Sequence, residues 1–321
     1  MNFLWANRAL TGKNGETLLG QADLEVLHEA VVAKCDLNDG VKDGVIGDPR
    51  QCHFDPAELR CTDSKRSRCL TAQQIEAVDK IYQGPRTSQG EQIVMPAAQR
   101  GSETTWLGFL GGSPTSPTPF YNYIGDQFRY YFFQPNPGPT WEPQAFDFDH
   151  DYKRLGMGEV SEPANSPDLR RFKARGGKLL SFTGWNDAAE GVLRTVDYYE
   201  TAERIMGGRP ATQDFFRLFV IPGMDHCTGG DGAFAVDYLS ALEAWVERGH
   251  APDKLIGAHV KPEDLEFYKA KDFWELMLGR ESPLDPTTVG FSRPVFPYPI
   301  GTKYLGRGDP NDAASFGPAT P

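Results

Sequence analysis

The sequence predicts an α/β protein in two parts: a loop-rich first half and a second half ordered strand, helix, strand, helix. Three observations carry this. After Pro167 two short apolar runs appear, "KLLSF" and "RLFVI", each leading into a glycine-containing turn. Each run is followed by a stretch with apolar residues at helical spacing, and that alternation is the grammar of a parallel sheet. Between Pro85 and Pro167 periodicity fails, and the chain is instead rich in Pro, Gly and aromatic residues, as in "WLGFLGGSPTSPTPFYNYIGDQFRYYFFQPNPGPTWEP". We therefore divide the chain into 1–165 and 166–321.

In the first half, Leu24, Leu27 and Val31 predict a helix over 22–34. Thr71 with Gln74 is a capping box that opens a second helix, with Ile75, Val78 and Ile81 as its apolar stripe and Gly84 as its stop. In the second half, Leu179 to Phe182 reads as a buried strand. "GVLRTVDYYETAERIMGG" reads as an amphipathic helix closed by Gly207 and Gly208. "FFRLFVIPG" is the next strand, and "AFAVDYLSALEAWVERG" the next helix, with Phe234, Tyr238, Leu242 and Trp245 on one side. Beyond about residue 280 the Pro- and Gly-rich tail shows little pattern.

Composition narrows the partners. A net charge of −11 disfavours nucleic acid and anionic membrane surfaces. No apolar run approaches the roughly 20 residues of a membrane span. The start, "MNFLWANRALTGKNGE", has no basic region leading into an apolar one, so no signal peptide is expected within it. Of the 5 cysteines, Cys35, Cys52, Cys61 and Cys69 cluster early and form no C-x-x-C pair of the kind zinc sites use. Four cysteines admit three pairings, and spacing alone leaves these open beside five reduced thiols. Disulfides would imply an oxidising compartment.

The two post-strand loops hold the candidate chemistry. In open α/β sheets, reactive groups gather at the carboxyl ends of strands. Asp187 follows Phe182 by five residues, and His226 follows Ile221 by five. An acid followed by a histidine, each after a strand, matches the last two members of an α/β-hydrolase triad. A histidine acting as general base needs one ring nitrogen free for the proton and a carboxylate fixing the other. The competing expectation is a turn-forming Asp and a surface His. His53, His150, His250 and His259 have no strand before them, and His28 lies within a helix. The nucleophile is missing: no G-x-S-x-G occurs, Ser181 lies within a strand, and Ser102 and Ser113 lie in the irregular part.

A third feature is "CDLNDGVKDGVIGD", which brings Asp36, Asp39 and Asp43 close together with glycines between. Carboxylates this close repel unless a cation sits among them. Alternate residues from Asp39 onward would face it, adding the carbonyls of Val41 and Val45 to the carboxylates, and calcium accepts such hard oxygens. Two D-G turns with solvated charges are the alternative.

Together "CDLNDGVKDGVIGDPRQCHFDP", "GWNDA", "PGMDHCTGG", "LEAWVERGHAPDKL" and "RPVFPYP…GRGDPNDAASF" resemble the tannase and feruloyl esterase family over nearly the whole chain. The resemblance implies part of an α/β-hydrolase core with a large loop-rich, calcium-binding lid. It implies a secreted or periplasmic serine esterase for small aromatic, phenolic-acid esters. Asp187 then looks like the triad acid and His226 the base, with Asp36, Asp39, Asp43, Val41 and Val45 as calcium ligands. Cys35–Cys52 and Cys61–Cys69 look like lid disulfides. Trp106, Phe109, Tyr121 and Phe132 are candidate receivers of the acyl ring, or simply core. The family joins a cysteine beside its serine to one beside its histidine, here Cys227. We therefore expect both the serine and that cysteine in a segment before Met1, and the chain alone to be inert or a calcium-stabilised binding module. A further family disulfide near the end falls on Phe296 and Pro318, so both halves are replaced together.

Overall fold

The computed structural model describes residues 1–62, 67–112, 116–156, 165–264 and 286–319. Ser113 lies outside the described residues. The chain divides into two compact units, one of Met1–Val31, Phe54–Ser166 and Ala188–Arg194, the other of Val32–His53, Pro167–Asp187 and Thr195–Pro321. This differs from a single cut after residue 165. The aspartate loop belongs with the second unit, and a short stretch after Asp187 belongs with the first.

In the first unit, α1 (Asn2–Leu10) buries Phe3, Leu4, Asn7 and Leu10, one helical face. Its N-cap, Met1, makes no side-chain cap bond, so the sequence gives no start signal there. Helix α2 (Gln21–Cys35) starts in this unit, with Leu24, Leu27 and Val31 fully buried. Helix α3 (Ala72–Gln83) carries the capping box: Thr71 Oγ1 accepts from Gln74 N at 3.3 Å, and Gln74 Oε1 accepts from Thr71 N at 2.9 Å. Helix α4 (Pro119–Gln127) lies inside the stretch without periodicity. Thr118 accepts from Tyr121 N at 3.1 Å and Pro119 takes the first position, where its missing N–H costs nothing. The core here is aromatic: Phe3, Tyr121, Phe128, Phe133, Phe146 and Phe148 pack with Leu4. Edge-to-face contacts such as Phe146–Phe148, with centroids 4.9 Å apart, fill space that regular elements would otherwise fill.

In the second unit, β1 (Leu179–Gly184) and β2 (Phe216–Ile221) pair in parallel, with Gly184 opposite Ile221. Helix α5 (Val192–Met206) connects them, as a parallel pair requires. The remaining described strands pair antiparallel. The next three, β3 (Ala235–Val236), β4 (Leu255–Val260) and β5 (Val289–Val295), form one sheet, and β6 (Gly301–Tyr304) pairs with β7 (Phe316–Ala319). Helix α6 (Tyr238–Arg248) is shorter than the sequence suggests. Asp237 caps it by accepting from Ser240 N at 2.9 Å, so Phe234 precedes the helix instead of lying on its stripe. Tyr238 does face the strands, its ring stacked 3.8 Å from Phe182.

Disulfides join Cys35 to Cys52 in the second unit and Cys61 to Cys69 in the first, the pairings the resemblance implies. Only the second is therefore in the unit that holds the rest of the first half. Cys227 is the one cysteine outside them. The first bridge closes a loop over a separation of 17 residues. Replacing both Cys35 and Cys52 by serine is expected to destabilise the second unit by about 3 kcal/mol. Denaturant unfolding under non-reducing conditions checks this, and an unchanged midpoint would count against it.

Candidate active site

The parallel register of β1 and β2 sets their two following loops side by side. Two main-chain hydrogen bonds tie these loops together, Trp185 N to Ile221 O and Asn186 N to Met224 O, both at 3.0 Å, and a third, Asp187 N to Gly184 O at 3.3 Å, closes the acid loop on itself. Two side chains emerge from this frame. His226 Nδ1 lies 3.0 Å from Asp187 Oδ2. The Asp187 side chain is 7% exposed and that of His226 32%. The carboxylate is therefore buried against the strand ends, while the imidazole reaches toward solvent.

A carboxylate can only accept at this contact, so the hydrogen bond places the imidazole proton on Nδ1. Nε2 then carries the lone pair. An imidazole so held can take a proton from a hydroxyl at Nε2, and the adjacent carboxylate stabilises the imidazolium that results.

The closeness of the loops has a strict requirement. A Cβ on Gly184 would lie 1.9 Å from Met224 O, so no other residue fits there without moving the histidine loop. That loop closes on itself through Gly232 N to Gly223 O at 3.1 Å and Asp225 N to Gly229 O at 3.1 Å. Gly223, at φ +65°, makes the turn out of β2.

The aspartate loop follows α2 directly. Asp36, 4% exposed, accepts on Oδ1 from Asp43 N and Gly44 N, both at 3.1 Å. Asp39 Oδ1 accepts from Val41 N at 3.2 Å, and Asp43 Oδ1 from Val45 N at 3.1 Å. Arg293, on β5, donates to Asp43 Oδ2 from Nη2 at 2.5 Å. Burial, with the charges of Asp43 and Asp36 added, pushes the Asp39 carboxyl up to about 7. Burial likewise raises Asp36. Of the three carboxylates Arg293 thus bonds one, that of Asp43, and its charge also acts on Asp39. A cavity of about 20 Å³, room for one water or ion, is lined by Asp39, Asp43, Val45, Pro222 and Arg293 among others. The donors fit a hard cation in kind, with crowded carboxylates and excess negative charge. As they stand, no group of three or more His, Cys, Asp or Glu side chains among the described residues is arranged to hold a metal ion.

Other candidates fall away or move. Ser102 is fully buried, its hydroxyl donating to Gln99 O at 2.6 Å and accepting from Trp106 Nε1 at 2.9 Å. Trp106 and Tyr121 are also buried, at 0% and 2% exposure, so they serve the core of the first unit and are closed to a ligand ring. Phe109 and Phe132 are half-buried, and among the described rings of the first unit Tyr123, Tyr130 and Tyr131 are exposed. Sequence reasoning missed Arg293, the counter-charge of the aspartate loop, because 250 residues separate it from Asp43.

Comparison with known proteins places these features in context. A family model described as tannase and feruloyl esterase matches residues 1–319. The chain is similar to mono(2-hydroxyethyl) terephthalate hydrolase of Piscinibacter sakaiensis, 32% identical over 94% of this chain and 52% of that protein. It is 33% identical to a probable feruloyl esterase B-2 of Aspergillus flavus over 73% of this chain and 46% of that one. Its structure resembles crystalline feruloyl esterase B from Aspergillus oryzae with a TM-score of 0.78 and 25% identity, covering 99% of this chain and 61% of that one. The chain spans about half the length of the curated relatives it matches.

Proposed function

The chain belongs to the tannase and feruloyl esterase family, and from that premise we propose that it supplies the acid–base half of a carboxylic ester hydrolase acting on esters of phenolic acids. The observation that carries this reading is the 3.0 Å contact between His226 Nδ1 and Asp187 Oδ2 at the ends of two parallel strands. His226 Nε2 takes the proton of a serine hydroxyl as that oxygen attacks the ester carbonyl. The acyl-enzyme forms, and the same imidazole returns the proton to the departing alcohol. Water then attacks the acyl group with His226 as base, the acyl–serine bond breaks to release the acid, the imidazolium returns its proton to the serine oxygen, and Asp187 holds the ring throughout.

The sequence contains no G-x-S-x-G. The serine of this reaction is accordingly proposed to lie in a segment outside these 321 residues. Purified alone, the chain is expected to leave ethyl ferulate and methyl gallate unhydrolysed. Joined to a segment carrying the serine, it is expected to turn them over. Robust hydrolysis by the chain alone would overturn the external serine. The missing motif equally favours a second reading, a binding module for aromatic acids, and equilibrium binding of ferulate without turnover in either form would support that instead.

Calcium is proposed for the aspartate loop, held by the carboxylates of Asp36, Asp39 and Asp43 and the carbonyls of Val41 and Val45. The crowded carboxylates and the small cavity beside them support this. Calcium at a hundred times its Kd would stabilise the second unit by about 2.7 kcal/mol by binding only its folded form. Melting with calcium and with chelator tests this. A higher Tm with calcium, lost in Asp39→Asn, is expected, and identical melting curves would count against the site.

An extracellular or periplasmic setting is part of the same proposal, supported by the two disulfides. Among the described residues no helix is long and apolar enough to cross a membrane.

A further inference from the structure

Trp185 is the residue between the end of β1 and the Asn186–Asp187 pair, and it is 4% exposed. A guanidinium from far upstream lies over its ring. The Arg50 carbon Cζ is 4.9 Å from the Trp185 centroid and 5.4 Å from that of Tyr298. The arginine is itself fixed from several directions. Asp48 accepts from its Nε at 2.9 Å and its Nη2 at 2.7 Å, a two-pronged bond that sets the plane of the group. Its Nη1 donates to the Tyr298 hydroxyl at 2.9 Å, and that hydroxyl donates onward to Glu200 Oε1 at 2.6 Å. The backbone below is held as well. Asp48 also accepts from Arg50 N at 3.0 Å, and Cys52, two residues on, is bonded to Cys35.

From this geometry we infer that Arg50 is a positioning residue for Asp187, acting through the ring of Trp185. A cation over a buried indole face is attracted by the ring and excludes other rotamers of it. Trp185 is two peptide bonds from Asp187, and its own N–H is bonded to Ile221 O, at the foot of the histidine loop. Fixing that ring therefore fixes the acid loop relative to His226. The chain Asp48–Arg50–Tyr298–Glu200 is the outer support of the dyad. Neither its charge balance nor its residues enter the acid–base step.

The catalytic meaning of this support rests on the esterase reading, but the geometry is testable without turnover. The probe is the Nδ1 proton of His226, observed as a low-field proton resonance and assigned by its loss in His226→Gln. Arg50→Lys keeps the charge and loses the planar fork. It is expected to speed solvent exchange of that proton about tenfold while leaving the far-ultraviolet dichroism unchanged. Tyr298→Phe removes one hydroxyl and leaves Arg50 in place, and a smaller acceleration in the same direction is expected. If Arg50→Lys fails to fold, the Tyr298→Phe result decides alone. Exchange as slow as in the parent, in folded Arg50→Lys or in Tyr298→Phe when that variant decides, would overturn the inference. That result would leave the esterase reading standing, whereas absence of ester turnover in the serine-completed protein would not alter the exchange rates.

Discussion

Replacing Asp187 by asparagine is expected to lower kcat of the serine-completed enzyme by about 10⁴-fold while changing KM little. Asparagine keeps the size of the side chain and its place on the β1 loop. Its amide can donate where the carboxylate only accepts, so the imidazole is free to adopt the tautomer with the proton on Nε2. That form cannot take the serine proton. The buried position of Asp187, with its side chain 7% exposed, leaves little room for water to restore the lost acceptor. Steady-state kinetics on a feruloyl ester checks the prediction, and a loss smaller than tenfold would mean that Asp187 does not orient the base.

Gly184→Ala is expected to destabilise the second unit by about 3 kcal/mol and to abolish activity in the same protein. The added Cβ would lie 1.9 Å from Met224 O and 2.8 Å from Asp225 O, both main-chain atoms of the histidine loop. Relief requires moving that loop, which breaks the Asn186 N to Met224 O hydrogen bond and separates Asp187 from His226. Gly108→Ala is the matched control. It lies in the short helix Trp106–Leu110 with nothing within 4 Å of the new methyl, and it is expected to be neutral or slightly stabilising. Chemical denaturation of the two variants checks the contrast, and equal midpoints would contradict it.

What the sequence revealed follows from how local each signal is. The capping box at Thr71 and Gln74 is written in four adjacent residues, and α3 starts where it says. The parallel pair was legible because both strands are short apolar runs ending in turns, and Asp187 and His226 stood out as candidates because each stands just beyond one of them. The antiparallel strands β4 and β5 were missed. Gly257, His259, Ser292 and Arg293 interrupt them, and their pairing joins distant residues, from Leu255 with Val295 to Val260 with Val289. Helix α1 was missed for want of a cap. Helix α6 was drawn too long because Phe234 happens to lie at helical spacing from Tyr238, whereas Asp237 starts the helix. The aspartate loop was visible as a loop. Its membership of the second unit was not, since that depends on Arg293 and the C-terminal strands.

The most direct test of the acid–base pair is covalent labelling of the serine-completed protein with a serine-reactive fluorophosphonate, followed by mass spectrometry. Such a probe reports activation of the hydroxyl without depending on the identity of the ester. Rapid labelling of the parent on its serine, slowed at least about 10³-fold in both His226→Ala and Asp187→Asn, is the predicted result. Labelling of both variants at the parental rate would contradict the account.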